Sequence, residues 1–526
     1  MDSQLKQEVV DLTKAVLATF TTEYTKAYTA ALVSKCIKDA KKPPSPYLLE
    51  QRPKDFVKDD IFSGYLVKEG AVRKSWLRRY FVCRWDYSVD YFVEENMSVK
   101  KGSINLSGYR VEEDPNKSTL GRIMKLAEKM GIDVSAIPKP KEYPPFTIEL
   151  FHSSRRCYYI QCKSPEEFKE WCDIFKVCCR KAWGLKNRDP VHVAAFPIAI
   201  RNTRWSLGRY GWGCYGGSEV QVLADMISDE IEYDILSRAL GKLPSGPWFV
   251  RNWMRNSMMK VIDGIVNSAV NPAWIGMDKT VSELRPTLEP KIKNEIDPII
   301  KIQNEIQSKM KDSLMSIIEP ALKQHAAQHL TKIIGGIKGP IENGFNESIR
   351  VFKEKTNGYQ GDGSPSSFTT YRAYPNSYYI MNPSREKVSE IYKTLDPLHS
   401  VFSNFSSYWI GYEVKDEIVN MAYNGTYTFE KSVNESKDVS LSNSDTLEKY
   451  LHDTQVGSVI QIKYVVKEVI RPTLVKVVDP LCKPIVSSMA SAIPSSFKEL
   501  IDINQMYQQL IDDVINDTTH SVLEEI

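Results

Sequence analysis

The sequence predicts an α+β multidomain protein: a small antiparallel β-barrel or sandwich capped by a C-terminal helix, inserted between an N-terminal helix and a large all-α region. Three observations carry this. Apolar residues recur at helical spacing over residues 3–39. From Ile61 the period changes to alternation and holds through several segments, until one helical pattern at 164–183 closes the run. After residue 186 most of the chain is helical again. At 526 residues the chain is too long for one compact core, so two or three domains are expected.

In the first element, Leu5, Val9, Leu12, Val16, Phe20, Tyr24, Ala27 and Ala31 form one stripe. Such a stripe (helix at residues 1–40) must bury against another surface, inside the chain or on a partner. Lys41-Lys-Pro-Pro-Ser-Pro ends it, because proline cannot continue a helix. Residues 41–58 then read as a linker.

GYLVKEG, SWLRRYFVCRW and YSVDYFVEE read as three strands, with more near 101–111, 146–152 and 156–162. The stretch 119–132 interrupts them as a helical insertion. In the closing helix, Ser164 is the expected N-cap and Glu167 its capping-box partner. In the run 291–355, Ile292, Ile296, Ile299, Ile306, Met310, Leu314 and Ile317 form a stripe. Pro298, Pro320 and Pro340 within it predict kinks or separate helices. VHVAAFPIAI (191–200) is strand-like, while 357–368 and 434–446 have the composition of surface loops.

Charge and cysteine usage narrow the function class. The formal net charge is +3, too small to imply a nucleic-acid partner. Residues 60–183 hold 22 Lys+Arg and 17 Asp+Glu, leaving 47 and 49 for the remainder, so the basic excess sits in the β-rich segment. Nine cysteines at irregular spacing with no CxxC pair fit reduced cytosolic thiols rather than disulfides or a zinc ribbon. The start MDSQLKQEVV lacks the apolar core of a signal peptide, and no run of about 18 apolar residues exists. A cytoplasmic protein, transiently at a membrane surface at most, is expected, and the Asn105 and Asn424 sequons are expected to stay unmodified.

GYLVK at 64–68, the basic loop Arg73-Lys74, WLRRYFV at 76–82 and a closing helix with a central tryptophan resemble the pleckstrin-homology (PH) superfamily. The resemblance covers residues 60–183. It implies that Trp171 plugs one end of the barrel, with Tyr65, Trp76, Phe81, Phe168 and Phe175 in the core. It also implies a lipid-headgroup site, for which Lys68, Arg73, Lys74, Arg78 and Arg79 are the candidates. Lys68 matches the lysine ending strand one, and Arg79 matches the arginine of strand two. Leu77 stands where the phosphoinositide-binding pattern has a second basic residue, and strand alternation turns Arg78 to the other face. One phosphate contact is therefore missing, and weak binding to an anionic leaflet is expected rather than tight recognition.

Other features carry no chemistry of their own. His325 and His329 are four apart on a helix but lack a third ligand, so no metal is expected. Cys178-Cys179, beside Arg180-Lys181, read as a helix end with one buried and one exposed thiol. Gly211, Gly213 and Gly216 have GxGxxG spacing but no strand–turn–helix context, so they read as a hinge into a helix at 218–232. No catalytic arrangement presents itself, and no cofactor is implied.

KKPPSPYLLEQ, WLRRYFVCRWDYSVDYFVEE, RYGWGCYGGSEVQVLADMISDEI (209–231), KGPIENGFNESIRVFKEKTNGY (338–359), LDPLHSVF, NGTYTFEKSV and RPTLVKVVDPLCKP follow one another in the order seen in the Niban family, which the chain resembles from end to end. That resemblance implies a PH-like module set into an elongated helical protein (186–526), with the N-terminal helix (1–40) packing on the helical region. It further implies a non-enzymatic cytoplasmic adaptor or regulator in stress or survival signalling, with protein partners. A second reading is a peripheral membrane protein recruited by phosphoinositides, with a BAR-like helical region. Proline-broken helices and balanced charge after 186 speak against an uninterrupted curvature-sensing helix pair.

Overall fold

The computed structural model describes residues 3–525 except 53–59, 61, 71–73, 85–86, 107–108, 130–139, 153–154, 182–188, 212–217, 242–247, 358–389, 392–393, 396, 399–407 and 437. The chain divides into two compact units. The first comprises Met1–Ala31, Phe56–Leu207 and Tyr215–Leu288; the second comprises Leu32–Asp55, Gly208–Cys214 and Glu289–Ile526.

Helix α1 is Ser3–Lys41. A seven-stranded antiparallel sheet follows in the first unit: β1 Phe62–Glu69, β2 Trp76–Cys83, β3 Val89–Phe92, β4 Lys100–Ile104, β5 Arg110–Glu112, β6 Thr147–Phe151 and β7 Tyr158–Gln161. The strand order is β4-β3-β2-β1-β7-β6-β5. Helix α2 (Pro115–Lys129) is inserted between β5 and β6, and α3 (Pro165–Lys181) follows β7. Ser164 Oγ accepts the Glu167 amide at 3.2 Å, the expected cap. This is the α+β arrangement that the change of period predicts.

Register decides which side chains enter the core. Gly64 pairs with Phe81, Leu66 with Arg79, and Lys68 with Leu77. Paired residues share a face, so these six point to the inner side of the sheet. Leu66, Phe81, Ile148, Leu150, Ile160, Trp171, Cys172 and Phe175 are buried together there. Trp171 closes one end, 4.7 Å from the ring of Phe62 and 5.1 Å from that of Phe175. Gly64 makes the closure possible, because a Cβ at that position would lie 3.2 Å from the indole. Phe168 packs on this core from its rim.

Two expected core residues are on the other face. Tyr65 pairs with Tyr80, and Trp76 pairs with Glu69; both are half-buried. The reason is parity: Tyr65 is one residue from Leu66, and Trp76 one from Leu77, so both point outward. The C-terminal end of α3 also departs from expectation. Cys178 and Cys179 are both buried, and burial pushes the Cys179 thiol well up.

The first unit is completed by α4 (Pro190–Ser206), α5 (Glu219–Ile231), α6 (Ser237–Gly241) and most of α7 (Trp248–Asn294). The strand-like run 191–200 is helical. Asp189 caps it by accepting the Val191 amide at 3.2 Å, and Pro190 stands at the first turn, where its missing N–H is harmless. Phe20 and Tyr24 of α1 meet Phe196 of α4, and Tyr24 meets Trp274 of α7. The Tyr24 hydroxyl lies 2.7 Å from His192 Nδ1, whose Nε2 is 3.1 Å from Glu219. The sheet module is bonded to α5 through His152 Nε2 and Gln221, 2.8 Å apart.

The second unit is built from α8 (Ile296–His325), α9 (Ala327–Asn357), α10 (Tyr408–Ser436), α11 (Val439–Met489) and α12 (Ile503–Glu525). Of the three prolines expected to interrupt the run, Pro298 follows a break at Glu295, while Pro320 and Pro340 lie inside α8 and α9; the other break falls at Ala326 instead. In the stripe, Ile318 rather than Ile317 is buried. The expected loop at 434–446 is mostly helix. Asp438 is the cap of α11, accepting the Leu441 amide at 2.9 Å, and Ser442 inside α11 meets Ser432 and Ser436 of α10. The expected loop after Asn357 lies outside the described residues, as do Gly213 and Gly216.

Trp171→Ala removes the plug and leaves a cavity. A loss of about 3–5 kcal/mol in denaturant unfolding of the full chain is expected, whereas a loss under about 1 kcal/mol would contradict the closure described here.

Candidate functional site

At the end of the sheet away from Trp171, the inner face changes from apolar to cationic. Lys68, the penultimate residue of β1, is only 6% exposed. Its ammonium donates to the Glu69 carbonyl at 3.0 Å and lies 5.0 Å from the Tyr91 ring and 5.5 Å from the Tyr158 ring. Tyr91 reaches this position because Gly102 faces it across β3–β4. A Cβ on Gly102 would lie 2.4 Å from the Tyr91 hydroxyl.

Two guanidinium groups share the surroundings. Arg79 is half-buried on the same face, and its Nη1 donates to the Arg78 carbonyl at 2.7 Å. Arg156, from the β6–β7 loop, donates to the Glu69 carbonyl at 3.4 Å and stacks over Tyr158 at 4.8 Å. Among the described residues, none of Lys68, Arg79 and Arg156 has a carboxylate within ion-pair distance. Burial, followed by the charges of Arg156 and Arg79, lowers the Lys68 pKa to about 8; Glu69 opposes this. Three cations thus share one mouth in which the central one is held in an unfavourable charged state. The arrangement can take an anion.

The other candidates are elsewhere. Arg78 is on the outer face, 3.8 Å over the Tyr65 ring, whose hydroxyl donates to Glu94 at 3.1 Å. Lys74 turns to the Glu69 carboxylate at 3.8 Å, which also pairs closely with Lys141. Arg73 lies outside the described residues. Leu77 occupies the place of the missing cation and is 43% exposed, so it leaves a gap beside Lys68.

The fold agrees with the relatives of the chain. A family model described as a PH domain matches residues 60–180. A PH domain-containing protein of Dictyostelium discoideum is 58% identical over 527 residues, 100% of both chains. Protein Niban 2 of Homo sapiens is 22% identical across 100% of this chain and 73% of its own length. The crystal structure of human Niban 2 superposes with a TM-score of 0.76 at 18% identity, over 100% of this chain and 98% of that one.

The chain belongs to the Niban family.

Within this Niban-family module, sequence reasoning found Lys68 and Arg79, which the structure brings together. It missed Arg156, Tyr91 and Tyr158. Arg156 lies 88 positions beyond Lys68 (156 − 68), and only the pairing of β1 with β7 joins them. The available local signal was Arg155-Arg156 in a turn before an aromatic strand. Among the described residues, no group of three His, Cys, Asp or Glu could hold a metal ion, and no helix is long and apolar enough to cross a membrane. His325 and His329 are exposed, at the end of α8 and the start of α9.

The Lys68 shift has a definite sign. The folded pKa near 8 is below the unfolded value of 10.5, so the unfolded state binds more protons between them. Charging Lys68 therefore costs stability fully below pH 8, and the cost fades as pH rises toward 10.5. Lys68→Met should be more stable than wild type at pH 7, with the difference shrinking between pH 8 and 10.5. Thermal or denaturant unfolding across that range measures it, and a difference independent of pH would contradict the assignment.

Proposed function

We propose that this Niban-family protein is a non-enzymatic adaptor or regulator whose PH module binds anionic phosphate groups of a membrane surface weakly, while its helical surfaces contact protein partners. The observation that carries the reading is the convergence of Lys68, Arg79 and Arg156, none with an ion-pair partner among the described residues. A phosphate entering the mouth would gain charge-assisted hydrogen bonds and relieve the repulsion among the three. The affinity is weak because Leu77 replaces a cation, Arg78 faces away, and Lys74 is engaged by Glu69. A juxtamembrane cation contributes roughly 1 kcal/mol, so three give reversible rather than permanent attachment.

The thiols support the non-enzymatic part. Of the described cysteines only Cys157 is partly accessible, and burial raises its pKa and that of Cys162, the latter to about 12. A role in stress or survival signalling is what family membership suggests. No single observation favours the curvature-sensing alternative, and the helix breaks at Glu295 and Ala326 weigh against it.

Sedimentation with vesicles containing phosphoinositide tests the reading. Wild type should bind, more weakly as salt or pH rises, the latter through loss of the Lys68 charge near pH 8. At about 1 kcal/mol per cation and about 1.4 kcal/mol per decade, Arg156→Ala should lower binding roughly fivefold and Lys68→Ala/Arg79→Ala roughly thirtyfold. Lys68→Arg should bind with little dependence on pH between 7 and 9. Equal binding by wild type and the double variant would remove the site from consideration.

A further inference from the structure

Residues 42–52 form no helix or strand, yet their backbone is bonded to helices of the second unit. The amides of Leu48 and Leu49 donate to the two carboxylate oxygens of Asp453 in α11, at 2.7 and 2.9 Å. The Glu50 amide donates to Thr428 Oγ1 of α10 at 2.9 Å, and the Arg52 amide to Asn424 Oδ1 at 3.0 Å. The Asn424 amide returns a bond to the Gln51 side chain at 3.2 Å. Leu49 is buried, Lys431 donates to both Glu50 oxygens at 2.8 and 2.7 Å, and the Arg52 guanidinium lies 4.5 Å over the Tyr423 ring.

This is the chemistry by which a groove recognises an extended peptide. Acceptors aimed at main-chain N–H groups supply affinity, and contacts to particular side chains supply specificity. Asp453 is 1% exposed. His452 Nδ1 also lies 3.0 Å from the Asp453 Oδ1, and the two amides cover both carboxylate oxygens, so their departure removes two charge-assisted bonds. The groove is therefore built to hold a ligand, and the chain supplies one in cis.

We propose that the α10–α11 groove is a peptide-recognition site with Tyr47–Arg52 as its resident ligand, and that it also takes an extended segment of a protein partner with the same pattern. The pattern is an exposed apolar residue, a buried leucine, an acidic residue for Lys431, one polar residue, and an arginine for Tyr423. A ligand tethered in cis competes at an effective concentration of about 1 mM, so the resident segment closes the groove to partners until it lifts. The inference is independent of the anion site.

A labelled synthetic peptide of residues 44–52 is the probe, and fluorescence anisotropy the readout. The full chain with residues 47–52 replaced by Gly and Ser should bind it at least roughly tenfold more tightly than wild type does, as removal of a tethered competitor requires. Adding Asp453→Ala to that background should abolish binding. Hydrogen exchange on the wild-type chain gives a second measurement that does not depend on the folding of a variant. The amides of Leu48, Leu49, Glu50 and Arg52 should be protected, and should lose protection under saturating unlabelled peptide of altered mass while α10 and α11 stay protected. A folded replacement chain that ignores the peptide, or resident amides unmoved by it, overturns the proposal. Concentration-dependent dimerisation of wild type that vanishes in the replaced chain would assign the groove to a second copy and overturn the partner reading.

Discussion

The register of β1 on β2 sets where two of the three cations of the anion site, Lys68 and Arg79, go. Gly64 opposite Phe81 leaves room for the Trp171 indole, and this contact fixes which residues face inward. Two positions along, Leu66 and Arg79 are paired; two further, Lys68 and Leu77. A slip of one residue would turn Phe81 to solvent and bring Arg78 inward. The apolar end and the cationic end of the module are thus one constraint. The indole that closes the first end fixes the parity that places Lys68 and Arg79 at the second.

Much of this was legible because it is local. Alternation marks strands, a change of period marks α3, and Ser164 with Glu167 marks its start. Lys68 and Arg79 could be assigned to one face from sequence because β1 and β2 are adjacent and antiparallel. Tyr65 and Trp76 show the limit: aromatic character suggests burial, but parity decides it, and parity needs the register. Arg156 shows another limit, since β1 meets β7 only through the three-dimensional order of strands. Serines and aspartates at 434–446 read as a loop because helix caps and turns draw on the same residues; only the path of the backbone distinguishes them.

The linker is a sharper case. Prolines at 43, 44 and 46 explain why α1 stops, and composition says little more. Each following amide still needs an acceptor once water is excluded. In the second unit the acceptors are side chains of α10 and α11, with Asp453 lying 405 positions from Leu48. Nothing in a pattern of spacing announces such a bond. Its sign in the structure is an extended segment with no secondary structure whose amides are nevertheless satisfied by buried or half-buried polar side chains.

The anion site and the groove place their costs differently. Asp453 is buried but satisfied, its carboxylate met by the resident amides of Leu48 and Leu49 and by His452. Lys68 is buried and, among the described residues, without an ion-pair partner. Lowering its pKa from 10.5 to about 8 corresponds to about 3 kcal/mol disfavouring its charged form. By linkage, an anion that binds the charged form restores part of that free energy and must raise the same pKa. A cation held in this strained state is a poor contributor to folding and a good one to binding. That asymmetry, rather than the number of basic residues, is what distinguishes Lys68 from Lys74, which already has Glu69, and from Arg78, which already has Tyr65.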